Sequence, residues 1–97
     1  PFELSHHVEL GQFAQQQGRL HQAEQAYQQV LEIDKKNITA LFGLAMLHWE
    51  RARSTELSDI RKRELKQTQR YLKQLFAIAP EHVQAKRLQQ RVDAFER

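Results

Sequence analysis

Cysteine is absent from the 97 residues, and glycine and proline are scarce, with three and two copies. Without cysteine there can be no disulfide and no thiolate zinc site, so packing alone must hold the fold. A β-sandwich or barrel needs turn residues about every 8 to 12 positions, and five glycines and prolines are too few to supply them. Helices need less punctuation. Long apolar runs are missing too: no stretch approaches the roughly 18 residues of a membrane span, and no basic start leads into an apolar segment with a small-residue cleavage site. The chain is therefore expected to be soluble, without membrane insertion. Lack of cysteine suits cytoplasm and periplasm equally. The first residue is Pro1 rather than Met, which points to a piece or a processed form of a longer chain.

What is present suffices for a core. Leu, Ile, Val and Phe make up 25 residues, above the composition at which ordering entropy defeats burial. One small domain follows from the length. Its charge is uneven: residues 1–48 carry three Lys/Arg against five Asp/Glu, residues 49–97 twelve against seven. Any electrostatic preference for a partner belongs to the second half.

Two segments follow the same plan. The first runs Leu10-Gly11-Gln12-Phe13-Ala14, Gly18, Ala23, Tyr27, Val30; the second runs Leu44-Ala45-Met46-Leu47-His48, Leu65, Thr68, Leu72, Leu75 and Pro80. Each opens on a large-small pair that lets a second helix approach and closes on an apolar helix running into a turn. This pattern resembles the tetratricopeptide repeat, a helix-turn-helix unit. Residues 4–37 match it well, with Asp34-Lys35-Lys36-Asn37 where the family usually has Asp-Pro-x-Asn. Residues 38–82 match with Leu41, Leu44-Ala45, Leu72, Leu75 and Pro80, but lack the turn glycine and carry an insertion around 53–64. Residues 83–97 resemble the helix that closes such arrays, with Val83, Leu88, Val92 and Phe95 as its apolar stripe. The resemblance implies an all-α solenoid of antiparallel helix pairs. Five helices are expected, near 4–17, 20–34, 38–53, 58–79 and 81–95, the fourth unusually long. Gly18 and Asn37 are read as left-handed helix ends, Pro80 as a stop, and Ser54 or Ser58 as the cap of the fourth helix.

The resemblance also implies a function, a scaffold for protein contacts. In that family the first helix of each repeat lines a concave groove that takes an extended peptide or a partner helix. The matching positions are Ser5, Val8, Gln12, Gln15 and Gln16, then Thr39, Phe42, Met46, Trp49 and Glu50, then Gln84, Arg87 and Arg91. A protein or peptide is the implied partner, anchored by Phe42, Met46 and Trp49 and oriented by Gln12, Gln16, Arg87 and Arg91. Phe42, Met46 and Trp49 share one helix face at i, i+4, i+7. The third helix is apolar around most of its circumference, so the same three residues also fit a core between two layers, and both readings stay open. A chaperone-tail clamp would need Lys and Asn where this chain has Val8, Gln12, Gly43, Gln84 and Leu88, so that ligand is disfavoured. The Gln-rich wording of the first repeat is similar to bacterial examples serving envelope assembly, secretion or polysaccharide export.

The lengthened fourth helix suggests two alternatives. Leu57 and Ile60 lie in the insertion and are expected to fold back on the end of the third helix or to meet a partner, including a second copy of the chain. Lys62, Lys66, Arg70 and Lys73 form a basic stripe on the opposite side. A solvated outer face explains the stripe; nucleic-acid or anionic-surface binding is the less favoured reading, because Glu64 and Gln69 interrupt the stripe and no aromatic lies within it.

No catalytic residues, cofactor or metal are expected. The five histidines, His6, His7, His21, His48 and His82, include no pair at i, i+4, and no Cys nucleophile or Gly-rich phosphate loop is present. His48 is expected to be half-buried and hydrogen-bonded between helices.

Overall fold

The computed structural model describes residues 2–96 as five α-helices: α1 Phe2–Gln16, α2 Leu20–Ile33, α3 Ile38–Ser54, α4 Ser58–Ile78 and α5 Val83–Glu96. No strand occurs among the described residues, and none of their helices is long and apolar enough to cross a membrane. The all-α class and the long fourth helix match expectation. Arg97, the last residue of the expected closing segment, lies outside the described residues.

Local chemistry sets the helix ends. Gly18 has φ 75°, and around it Gly18 N–H donates to Gln15 O at 3.0 Å and Arg19 N–H to Ala14 O at 2.8 Å. This is a Schellman closure of α1, available because glycine has no Cβ to clash at positive φ. Asn37 behaves otherwise than expected. Its φ is −70°, and its side chain accepts from Ala40 N–H at 3.0 Å, so it starts α3 instead of ending α2. Neither Ser54 nor Ser58 caps α4. Leu57 occupies the cap position, its N–H bonded to Thr55 Oγ1 at 3.2 Å, while Ser54 Oγ donates back to Glu50 O. His82 Nδ1 accepts from Ala85 N–H at 3.1 Å and so caps the first turn of α5.

The helices pair as α1 with α2 and α3 with α4, and α3 also touches α1, α2 and α5. A helix with neighbours on so many sides must be apolar nearly all round, which is why Leu41, Leu44, Ala45, Leu47 and Ala52 are all completely buried. One side chain fastens the two pairs. Tyr27 of α2 is buried, and its ring lies between Gly11 of α1 and Gly43 of α3; a Cβ on Gly11 would come 2.6 Å from ring Cε1, and one on Gly43 would overlap Cζ. The phenol O–H donates to Gln15 Oε1 at 2.8 Å. In α5 the buried stripe is Ala85, Leu88 and Val92, whereas Val83, expected to be part of it, is 60% exposed at the first turn.

The extra length of the second helix pair over the first is shared between its two helices. The α1–α2 and α3–α4 connections are both three residues long, Gln17–Arg19 and Thr55–Leu57, while α4 has 21 residues against 14 in α2 and α3 reaches Ser54. The extra turns of α4 therefore have a partner in the extended end of α3, and the long free overhang is not formed. Leu57 and Ile60 nonetheless do not fold back into the core: they are 63% and 37% exposed. The basic residues Lys62, Lys66, Arg70 and Lys73 are all exposed.

Burial pushes the Tyr27 phenol up to about 12, whereas an unfolded chain titrates near pH 10. The folded value is the higher one, so the stabilisation is complete below about pH 10 and is lost as pH rises through about 12, amounting to about 3 kcal/mol. Melting temperatures recorded from pH 9 to 12 are expected to fall more steeply in the parent protein than in Tyr27→Phe, which has no phenol to ionise.

Candidate functional site

Side chains spaced by three and four residues on α3 share a face, and on one side of that helix Thr39, Phe42, Gly43, Met46 and Glu50 border a hollow of about 580 Å³. Gln12, Gln15 and Gln16 of α1 form its opposite wall, and Ile38, His82 and Gln84 close one end. The floor is apolar: Phe42 and Met46 are half-buried, their inner atoms packed on the core. The Phe42 ring also leans on the His82 ring, with centroids 5.5 Å apart. A smaller hollow of about 330 Å³, lined by Leu4, Ser5, Val8, Glu9 and Asn37, shares Gln12 and Thr39 with the first and prolongs it along α1.

The amides divide by role. Gln15 is engaged, accepting from the Tyr27 phenol and directing Nε2 toward Gly43 O at 3.4 Å. Gln12 and Gln16 are exposed and make no side-chain hydrogen bond among the described residues, and Gln84, at the closed end, is in the same condition. Glu50 is the only carboxylate in the main hollow and has no ion-pair partner among the described residues. The surface thus offers half-buried apolar area beside amides free to donate or accept.

The structure brings most of the expected groove positions together, with three exceptions. Trp49 is 4% exposed and outside the hollow. Its ring meets Phe95 of α5 edge-on at 5.2 Å, and the Arg53 guanidinium lies 5.6 Å from its centroid. The cause is the course of α5. His82 beside Phe42 and Phe95 beside Trp49 show that α5 runs parallel to α3, so its far end covers the edge of α3 that carries Trp49. Trp49 is a core residue, not a groove anchor. Arg87 and Arg91 are exposed but do not line the hollow; they follow Gln84 on α5 by three and seven residues, on the same helix face. Ile38, Gly43 and His82 were not expected in the site.

A second polar constellation lies between α2, α3 and α4. His48, buried and stacked on Tyr71 at 5.7 Å, donates from Nδ1 to Glu64 Oε2 at 2.9 Å and places Nε2 3.6 Å from Glu24 Oε2. Arg51 Nη1 donates to Glu24 Oε1 at 2.8 Å and is 4.0 Å from Glu64 Oε1. His48 is more deeply buried than expected and is hydrogen-bonded as expected. Among the described residues no group of three or more His, Asp or Glu side chains is arranged to hold a metal ion. The constellation ties three helices together on a side of α3 away from the hollow.

A family model described as the tetratricopeptide repeat matches residues 7–37, the span of Leu10-Gly11, Gly18, Ala23, Tyr27 and Val30. That repeat typically serves as a non-catalytic module, a scaffold for protein–protein contact. No curated protein and no solved structure matches the chain.

Proposed function

We propose that this protein, built on a tetratricopeptide repeat at residues 7–37, holds an extended segment of a partner protein in the hollow between α1, α3 and the start of α5. The observation that carries the reading is the pairing of a half-buried Phe42–Met46 floor with the unengaged amides of Gln12, Gln16 and Gln84. An extended segment exposes alternating N–H and C=O groups about every 3.3 Å, and glutamine amides can bond either kind. Apolar side chains of the segment would cover Phe42 and Met46, the aromatic and the adaptable thioether favoured at contact centres. Arg87 and Arg91, further along the helix face that carries Gln84, would meet carboxylates of a segment that runs on past Gln84.

The test is to pan a random peptide library against the purified protein and measure affinities of enriched peptides. Phe42→Ser with Met46→Ser should weaken them by about tenfold or more, since contact centres carry most of the binding energy. Trp49→Phe, a change in the core, should leave them unaltered. Enriched peptides that bind the Phe42/Met46 variant as well as the parent would sink the reading.

A further inference from the structure

We propose that a second hollow, between the N-terminal half of α4 and the end of α5, binds an acidic protein segment that presents two carboxylates and an apolar side chain on one face. The hollow measures about 640 Å³ and is separate from the groove. Arg61, Lys62 and Lys66 bring three cations to it against the single carboxylate of Glu96, and Leu65 with Phe95 supplies apolar lining. None of the three cations makes an ion pair among the described residues. The charge is therefore unneutralised and gathered around apolar surface, which complements an acidic and partly apolar partner.

The cations are also spaced for carboxylates. Lys62 and Lys66 stand one helical turn apart, about 6 Å along α4. Carboxylates two residues apart on an extended segment are separated by about 6.6 Å, which matches. Arg61 is held in place, since its Nη2 donates to Thr55 O at 2.8 Å and its guanidinium lies 5.8 Å from the Phe95 centroid. A guanidinium fixed in this way loses less freedom on meeting an acceptor.

A nucleic-acid strand fits less well. Phe95 is 40% exposed, but its ring already packs perpendicular to that of Trp49 at 5.2 Å and carries Arg61 over it at 5.8 Å, so it is a poor stacking platform. Glu96 at the rim also opposes phosphate.

The experiment titrates the ¹⁵N-labelled protein with a short synthetic peptide, Glu-Ser-Glu-Ser-Leu, whose two Glu and one Leu share a face when extended, its Lys-for-Glu counterpart, and a single-stranded oligothymidylate. The acidic peptide should move the amide signals of Arg61, Lys62, Leu65, Lys66 and Phe95. The double variant Lys62→Glu, Lys66→Glu should weaken it by about tenfold or more, while Lys73→Glu, outside the hollow, should not. Both lysines are exposed, so circular dichroism should show the fold of the double variant unchanged. The proposal is overturned by equal binding of the basic peptide, by shifts confined to the α1–α3 groove or absent altogether, or by tighter binding of the oligonucleotide at the same residues. It is also overturned if these signals move with protein concentration alone, which would assign the surface to a second copy meeting it through neighbouring Leu57 and Ile60.

Discussion

Gly43→Ala is expected to destabilise the protein, although removing a glycine from a helix interior should by propensity alone stabilise it by about 1 kcal/mol. The added Cβ would overlap Cζ of Tyr27, a rigid ring carbon. The ring cannot retreat, because Gly11 is packed against it, with room for no Cβ there either. Overpacking of this kind costs about 1 to 3 kcal/mol and more where the neighbours cannot shift. Against a total stability of about 5 to 15 kcal/mol for a domain of this size, that is a large share. Urea denaturation measures it. Tyr27→Leu supplies the internal control: it loses the ring's packing by itself, yet in combination with Gly43→Ala it should relieve the clash, so that the pair is more stable than the two single losses predict. A Gly43→Ala protein as stable as the parent would show that the ring is not held between the glycines.

Glu64→Leu is the second substitution with a large expected effect, about 1 to 3 kcal/mol. The Glu64 side chain is 14% exposed and accepts from His48 Nδ1, so its removal leaves a buried imidazole N–H without an acceptor and Arg51 with only Glu24 as partner. The cost comes from stranding a buried polar group more than from the bond itself. Replacing both residues, Glu64→Leu with His48→Leu, should therefore recover much of the loss. Thermal melts of the two single variants and the double decide it, and a double variant that loses the sum of the singles would mean that the two side chains act independently.

Much of the helical layout could be read along the chain because its signals are local. Gly18 closes α1 through its own positive φ, and Pro80 follows the end of α4 at Ile78. Asn37 is ambiguous along the chain because asparagine suits both a left-handed helix end and an N-cap, and only the path of the chain into α3 selects the second. The groove residues of α1 and α3 follow helical spacing, so Gln12, Gln16, Phe42 and Met46 do meet in one hollow. Trp49 shares that spacing, but α5 covers it, and the route of α5 depends on Phe95 reaching Trp49 from 46 positions later in the chain. The His48–Glu64 bond and the Tyr27–Gly43 packing are likewise pairings 16 residues apart that no periodicity marks. The visible signal in each was composition: a histidine and a glycine in the middle of an otherwise apolar helix, where neither is favoured without a packing or polar partner.

The groove itself is tested most directly by following the amide signals of the ¹⁵N-labelled protein while a library-selected peptide is added. Shifts should concentrate on Gln12, Gln16, Thr39, Phe42, Gly43, Met46 and Gln84. Shifts confined to the opposite surface, around the exposed Leu10 and Phe13 between α1 and α2, with the groove signals unmoved, would contradict docking in the groove.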